Sequence, residues 1–477
     1  MNTLVSEEKC SLQADQFKGS PKVRHAIDTI LGELGAAQVN LAPREADSAL
    51  ESAYSESLQR FADARGGGLF FPYIGSGIGR GPLVELANGQ VVYDMITGIG
   101  AFPAGHSDPR IMRAQLEAAL SDLVIQGNLQ QNRESAQFVE TLVKAASAQG
   151  AELKHCFLST TGVMAGENSL KIALQKHAPA HRVLAFENCF AGRTIAFSQI
   201  TDKPAFRDGL PENMAVDYVP FYDVSDPVGS TERALKTLKT HLSRHPGQYA
   251  AMFFELIQGE GGFNVGSTEF FKALMTCCRE AGVAVLVDEV QTFARTESLF
   301  AFQHFGLDAL VDVVWIGKAS QVCATLYRPE YKPRPGLLSQ TFTGSTAALR
   351  AGQVIIDTLL TESYYGADGR LAKLHCMFVN AIQSISDRTG GRLKGPYGIG
   401  AMWAFTLDAG DPAATKAFIQ HLFQHGVLSF VAGKQPAKVR FLPPFLALTD
   451  ADLDAVFTRI EAAVNSFETP AMEVAAG

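Results

Sequence analysis

Two apolar runs in this chain end on side chains of opposite charge. Val311-Asp312-Val313-Val314-Trp315-Ile316-Gly317 leads into Lys318, and Val283-Ala284-Val285-Leu286-Val287 leads into Asp288. Runs of this kind read as strands buried on both faces, the habit of a parallel sheet covered by helices. Two such strands deliver an amine and a carboxylate to one sheet edge. In open α/β folds the edge at the carboxyl ends of the strands is where ligands bind. A partly desolvated lysine stays neutral enough to attack a carbonyl and form a Schiff base. A carboxylate facing it holds a pyridine nitrogen protonated, which makes the ring an electron sink. The pair implies pyridoxal 5'-phosphate as cofactor.

Length and composition permit such a protein. At 477 residues, 47% hydrophobic and 19% charged, the chain can bury one large core and a second smaller one. The net charge of -8 and the lack of a long basic run argue against nucleic acid or an anionic membrane surface as partner, leaving small molecules as the expected ligands. The 7 cysteines are odd in number and show no C-x-x-C spacing, which fits a reduced, cytoplasmic compartment. Cys277-Cys278 falls within a helix pattern and the histidines do not cluster, so no metal site is expected. The first twenty residues carry Glu7, Glu8 and Asp15 without an apolar core, and no later run approaches spanning length. Neither secretion nor membrane insertion is expected.

Residues 1–64 read as a helical N-terminal extension, with helices over Ala26 to Leu34 and Ala49 to Phe61. Residues 65–105 form an entry loop and part of a small domain. Here the glycine run Gly75 to Gly81 is expected as a loop, followed by a hairpin from Leu83 to Tyr93 turning at Asn88-Gly89. Residues 106–349 form a large domain in which strands near Cys156 to Ser159, Arg182 to Phe186, Ala250 to Glu255, Val283 to Val287 and Val311 to Ile316 alternate with helices. That alternation predicts an α/β fold with a mostly parallel central sheet. A helix over Phe270 to Ala281 has Ser267 and Gly282 as its start and stop. Residues 350–477 read as a smaller C-terminal α+β domain. No internal repeat is present.

Beyond the two strand ends, an ordered set of motifs resembles the class III aminotransferases, pyridoxal-phosphate enzymes of the fold-type I group. The set is Gly105-His106, Thr161-Gly162, Phe190-Ala191-Gly192-Arg193-Thr194, Gln258-Gly259-Glu260-Gly261-Gly262, Asp288-Glu289-Val290-Gln291, Gly317-Lys318, Thr341-Phe342-Thr343-Gly344 and Arg440-Phe441. The likeness runs from about Leu83 to Pro444. It implies a role for each position. Thr161, Gly162 and Val163 would hold the cofactor phosphate at a helix N-terminus. Phe190 would stack on the pyridine ring, Asp288 would pair with its nitrogen, and Gln291 would reach its hydroxyl. Lys318 would carry the Schiff base and shuttle the proton. Thr341 would reach across a homodimer interface to the partner's phosphate.

The likeness also suggests a substrate class. An enzyme that takes an amine from a chain end and also accepts 2-oxoglutarate needs one cationic site that can be switched. In ornithine-type relatives the arginine matching Arg440 is covered by the glutamate matching Glu260 and then freed for the keto acid. Arg193 matches the residue that grips the distal carboxylate, for which a guanidinium fork is suited. The segment Gly317 to Cys323 is most similar to lysine 6-aminotransferases. Ornithine, acetylornithine and 4-aminobutyrate types stay open, as do a racemase or aminomutase of the same family and a catalytically idle assembly subunit. Phe70, Phe71, Tyr73 and Ile99 are expected to line the substrate pocket. Two departures stand out: Val163-Met164 after Gly162, and Ala191 where the family has a ring-bearing residue. The apolar strand ending Asp288-Glu289 also resembles nucleotide hydrolases, yet no G-x-x-x-x-G-K-[ST] accompanies it.

Overall fold

The computed structural model describes residues 12–122 and 129–468; Glu7, Glu8 and Cys10 lie outside them. Within these bounds six cysteines are free thiols. The central sheet has seven strands: β1 His155–Ser159, β2 Arg182–Phe186, β3 Ala215–Val219, β4 Tyr249–Glu255, β5 Ala284–Glu289, β6 Val313–Ile316 and β7 Cys323–Tyr327. They lie in the order β1-β7-β6-β5-β4-β2-β3. β7 runs antiparallel to both of its neighbours, and the other pairs are parallel.

The middle strands are apolar on both faces and covered on both. Ala284 to Val287 and Val313 to Ile316 are fully buried. The five strands expected from the apolar runs are all present, to within two residues of their expected ends. β3 and β7 were not foreseen. β7 follows directly on the turn after Lys318 and doubles back between β6 and β1, a reversal that apolar runs alone do not announce.

The helix Gly162–Lys176 packs across this sheet. Thr161 caps it, its Oγ1 accepting from the N–H of Met164 at 3.3 Å. Four of its buried residues are small, Ala165, Gly166, Ser169 and Ala173, and Gly166 lets its backbone come close to its neighbours. A Cβ on Gly166 would stand 2.5 Å from the ring of Phe197 and 3.1 Å from Nε1 of Trp315. The helix Thr268–Glu280 starts and stops as expected, capped by Ser267 Oγ on the N–H of Phe270 at 3.2 Å and ended by Gly282 at φ +70°.

The N-terminal sheet corrects one expectation. Gly75–Arg80 is a strand rather than a loop, pairing antiparallel with Leu83–Leu86 through an irregularity between Gly75 and Gly79. The glycines serve close approach: a Cβ on Gly79 would lie 2.3 Å from the Cβ of His106. The expected hairpin of Leu83–Leu86 with Val91–Asp94 is present, with Gly89 at φ +82° in its turn. Val427–Leu428, from far along the chain, adds to Val91–Asp94 in parallel. A third sheet, in the order Leu393–Tyr397, Trp403–Leu407, Lys438–Phe441, Phe430–Ala432, carries Arg440. The helices Pro21–Gln38 and Ser48–Arg65 are longer than the sequence pattern suggested. The first is tied down by Gln38 Nε2, which donates to the carbonyls of Gly79 at 2.7 Å and Ser107 at 2.9 Å.

The close seat of the helix Gly162–Lys176 is testable. Gly166→Val is expected to destabilise the protein by about 1–3 kcal/mol through overpacking, read as a lower urea midpoint; an unchanged midpoint would show that Phe197 and Trp315 can give way.

Candidate active site

Three neighbouring parallel strands bring their last residues to one place. Asp288 on β5 is in register with Glu255 at the end of β4 on one side and with Trp315 of β6 on the other. Two residues beyond Trp315 the chain leaves β6 at Gly317 and turns through Lys318–Ser320. Lys318 has φ +54°, a conformation that costs a side-chain-bearing residue energy and persists where its surroundings hold it. Gln321 does some of that holding: its Nε2 donates to the carbonyls of Ala101 at 2.6 Å and Lys318 at 3.2 Å.

These strand ends open on a cavity of about 290 Å³. Gly162, Val163, Phe190, Arg193, Asp288, Gln291 and Lys318 all line it, as do Ala191 and Glu255. Arg440 and Glu260 stand at its border. Arg440 Nη2 donates to Glu260 Oε1 at 2.6 Å and Nη1 to the Gly259 carbonyl at 3.4 Å, while Gln291 Nε2 reaches the same Glu260 oxygen at 3.5 Å. Arg440 is 0% exposed and Glu260 33%, so the carboxylate is the member of the pair free to move. Thr161 is exposed at the helix cap, and Thr341 is exposed outside the cavity of this chain.

The expected pocket-liners do not line this cavity. Phe70 packs edge-on against Phe71 at 4.8 Å and Phe430 at 5.0 Å, and Phe71 leans on Phe423. Phe430 in turn lies beneath the Arg440 guanidinium at 5.5 Å. The phenylalanines are thus a shell behind Arg440. Arg193 also sits differently from a bare carboxylate clamp: its guanidinium lies over the ring of Phe206 at 3.9 Å.

Burial governs the protonation of the strand-end groups. It pushes the Lys318 amine down to about 8, with the cations Arg440 and Arg295 acting in the same direction and Glu260 and Asp288 opposing. Burial lifts the Asp288 carboxyl to about 7, against the Val290 N–H, which donates to Oδ1 at 2.8 Å, and the Lys318 charge. Glu255 is held well above the usual carboxylate range by burial and by Asp288 beside it, although it accepts from the N–H of Phe190 at 2.8 Å and Gly259 at 3.3 Å. Glu289 faces away into the core. It accepts from the N–H groups of Ala301 and Phe302 and the hydroxyl of Thr292, and burial raises it to about 7.

The cavity suits a ring with a phosphate on one side and a protonated nitrogen on the other. The N-terminal N–H groups of the helix Gly162–Lys176 are orphan donors of the kind that hold phosphate, and Gly162 and Val163 put them on the cavity wall. A Cβ on Gly162 would press on both methyls of Val290 at 3.0 Å, so glycine keeps this corner open. Phe190 and Val290 give apolar walls, and Asp288 is a buried carboxyl awaiting a cation. Gln291 Oε1 is buried without a hydrogen-bond partner. Val163 offers no hydroxyl, so a phosphate held at this corner would draw on backbone N–H groups, with the hydroxyls of Thr160 and Thr161 next in the chain.

Fold and site together define a pyridoxal-phosphate type of enzyme built on a fold-type I sheet. Residues 75–464 match the family model for class-III aminotransferases, and the chain belongs to that family. Among curated relatives it is 26% identical over 396 residues to a diaminobutyrate–2-oxoglutarate transaminase of Nocardia farcinica, covering 81% of this chain and 88% of the relative. It is 30% identical over 322 residues to an acetylornithine aminotransferase of Methanopyrus kandleri, covering 66% and 77%. Among solved structures, the lysine aminotransferase from M. tuberculosis in its internal aldimine form superposes with a TM-score of 0.75 at 24% identity, over 86% of this chain and 99% of that one. An ornithine aminotransferase from Toxoplasma gondii ME49 gives 0.72 at 26%, over 87% and 97%. This chain is an aminotransferase.

Several residues of the site escaped the sequence reading. Glu255 ends an apolar run just as Asp288 does, and that signal was legible. Arg295 is fully buried and, among the described residues, has no carboxylate partner, donating to the carbonyls of Gln291 at 3.4 Å and Gly100; burial pulls it down to about 9. Lys438, two residues before Arg440 on the same strand face, donates to the Gly262 carbonyl at 2.7 Å and Asn264 Oδ1 at 3.1 Å. It braces the loop that presents Glu260. Nothing in sequence spacing marks either cation.

Two pH experiments follow from these environments. In cofactor-free protein, labelling of Lys318 by a small amine-directed reagent is expected to rise with pH around a midpoint of about 8; peptide mapping that finds an ordinary lysine midpoint contradicts the environment described. Asp288 has a folded pKa raised to about 7 from 3.8, so its ionisation is resisted by the fold and stability falls as pH rises through that window. Asp288→Asn should therefore raise the cofactor-free Tm at pH 8 more than at pH 5, while weakening retention of pyridoxal phosphate.

Proposed function

We propose that this chain transfers the terminal amino group of a lysine- or ornithine-like ω-amino acid to 2-oxoglutarate, giving a semialdehyde and glutamate, with pyridoxal 5'-phosphate as cofactor. The observation that carries the substrate class is the Arg440–Glu260 pair, 2.6 Å apart, with a buried guanidinium and a partly exposed carboxylate. With Glu260 on Arg440, this part of the site is electrically neutral and accepts the methylene and amine of a chain end. With Glu260 turned away, Arg440 offers two donors to the carboxylate beside the keto carbon. A glutamate that pivots costs less than moving an arginine locked between Phe263, Phe430 and the Gly259 carbonyl.

The remaining roles follow from position. When bound, the cofactor supplies an electron sink for the charge left at the substrate carbon. The Asp288 carboxyl would face the ring nitrogen and keep it protonated, an ion pair that would favour the ionised form of Asp288. The Lys318 Nζ, neutral in a useful fraction near pH 8, takes the proton from the carbon bearing the amine and returns it on the other side of the transfer. Gln291 would orient the ring hydroxyl and Phe190 would cover the ring face, both from the cavity wall. Arg193 serves the carboxylate at the substrate's far end. In a cytoplasmic homodimer Thr341 completes the partner's phosphate site, in keeping with its exposure here.

The first test is absorption near 400–430 nm, the region expected for a lysine-bound cofactor, before and after lysine, ornithine, 4-aminobutyrate and glutamate are added separately. Bleaching by glutamate and by one ω-amine is expected; a band that glutamate leaves untouched rules out 2-oxoglutarate as acceptor. Arg440→Lys is expected to lose roughly 1.5–3 kcal/mol of keto-acid binding, the scale of one charge-assisted hydrogen bond, and unchanged 2-oxoglutarate kinetics would remove Arg440 from this role.

A further inference from the structure

Glu260 sits at the tip of a short hairpin. Ile257–Gln258 pairs antiparallel with Asn264–Val265, and the residues between them are Gly259-Glu260-Gly261-Gly262-Phe263. So many glycines give the tip more backbone freedom to lose on ordering than side-chain-bearing residues would. Phe263, 1% exposed, is held at φ +54°, a left-handed conformation that costs a residue with a side chain energy. The tip therefore depends on its surroundings for its shape.

Its carbonyls show what those surroundings are. The Gly433 N–H donates to the Glu260 carbonyl at 2.9 Å, Asn264 Nδ2 to that of Gly261 at 3.0 Å, and Lys438 Nζ to that of Gly262 at 2.7 Å. Lys438 also donates to Asn264 Oδ1 at 3.1 Å, so one ammonium bonds the residues on either side of the strained Phe263. Its stem packs on the same loop: a Cβ on Gly262 would stand 3.4 Å from Lys438 Cδ and Cε. Lys438 is buried, and its Nζ lies 3.8 Å from the centre of the Tyr397 ring. Burying an ammonium without a carboxylate is unfavourable, and both hydrogen bonds that offset it go to the Glu260 hairpin. Arg440, two residues on along the strand Lys438–Phe441, takes the other arm of the tip through the Gly259 carbonyl and the Glu260 carboxylate. Arg440 meets the group that moves, and Lys438 fixes the backbone from which it moves.

We propose that Lys438 is a positioning residue for substrate selection: by clamping the hairpin at Gly262 and Asn264 it sets the resting place of the Glu260 carboxylate on Arg440, and with it the balance between a covered and an open Arg440. This rests on the reading of Arg440 and Glu260 as the switch. A loosened tip has more states to give up each time Glu260 returns, so the covered form loses stability and the open form gains population. An anion that needs Arg440 then binds more tightly, because apparent affinity follows the fraction of protein in the competent state. A cation that merely attracted anions would act the other way.

Glutarate, which carries both carboxylates of 2-oxoglutarate without its keto group, reads this balance by calorimetry on the full-length holoenzyme. Glu260→Gln, which uncovers Arg440 directly, is expected to tighten glutarate binding. Lys438→Met is expected to tighten it by about 3-fold or more, the effect of taking one hydrogen bond of ordinary strength from the covered form. Hydrogen exchange of the peptide spanning residues 258–265 should be faster in Lys438→Met than in the wild type. Unchanged or weaker glutarate binding in Lys438→Met, or unchanged exchange, overturns the clamp. Asn264→Ala removes the Gly261 bond and one acceptor of Lys438 and is expected to act in the same direction. Should Lys438→Met fail to fold, Asn264→Ala decides: tighter binding supports the clamp, and unchanged or weaker binding overturns it. Glutarate affinity that Glu260→Gln leaves unchanged would count instead against the switch, while exchange of the hairpin still decides whether Lys438 clamps it.

Discussion

Everything in this site depends on the burial of ionisable groups at the ends of three adjacent parallel strands. Glu255, Asp288 and Lys318 reach the same edge because β4, β5 and β6 are in register there. Apolar side chains fill both faces of those strands up to this edge, while Glu255, Asp288 and Lys318 are themselves half-buried where they meet the cavity. Burial of this kind is unfavourable for isolated charges, so the groups move toward neutrality: the amine falls to about 8 and the Asp288 carboxyl rises to about 7. A site in that condition is poised for partners that restore the charges, a carbonyl for the amine and a cationic ring nitrogen for the carboxylate. The fold sets the chemistry through dielectric surroundings as much as through position.

The balance of charge around Lys318 is cationic. Arg440 and Arg295 both press on its amine, and Lys438 stands behind the Glu260 loop. Among the described residues Arg295 has no carboxylate partner, and its Nε is buried without a hydrogen bond. Against these cations the cavity's border offers the Glu260 carboxylate on Arg440, while burial raises the carboxyls of Asp288 and Glu255 toward their neutral forms. Such a site favours anionic occupants: a phosphate, and substrates that carry carboxylates. That excess is offset at the cavity's border by the Glu260 carboxylate paired with Arg440.

The legible part of the fold was the part written in apolar periodicity. β5 and β6 are continuous apolar runs closed by a charged residue, and the helix Thr268–Glu280 has a serine cap and a terminal glycine at the expected places. Gly75–Arg80 was read as a loop because glycine carries no side chain to show alternation; its pairing comes from the backbone and from its fit against His106. β7 was missed because it is joined to β6 by a short polar turn and runs the other way. Of the residues given a role by motif order, Gly162, Val163, Phe190, Arg193, Asp288, Gln291 and Lys318 line the cavity, Glu260 and Arg440 stand at its border, and Thr161 and Thr341 are exposed. The phenylalanines near residue 70 lie off this cavity for a packing reason: they stack on one another and on Phe430, behind Arg440.

The departures from the family pattern acquire a meaning in this setting. Val163 removes a hydroxyl from the phosphate corner, and its methyl packs so that a Cβ on Gly192 would lie 2.4 Å from it. Gly192, at φ +152°, is thereby required both by its backbone and by its neighbour. Ala191 leaves space where the family places a ring, and its N–H goes to Thr201 Oγ1 at 2.9 Å, which also accepts from Gly192 at 3.1 Å. Thr201 is buried, so this hydroxyl ties the loop that carries Phe190 and Arg193 to the end of the helix Ile195–Ile200. Val163 bears on the same loop from the helix Gly162–Lys176, through its packing on Gly192, so both departures act on how the segment after Phe190 is held.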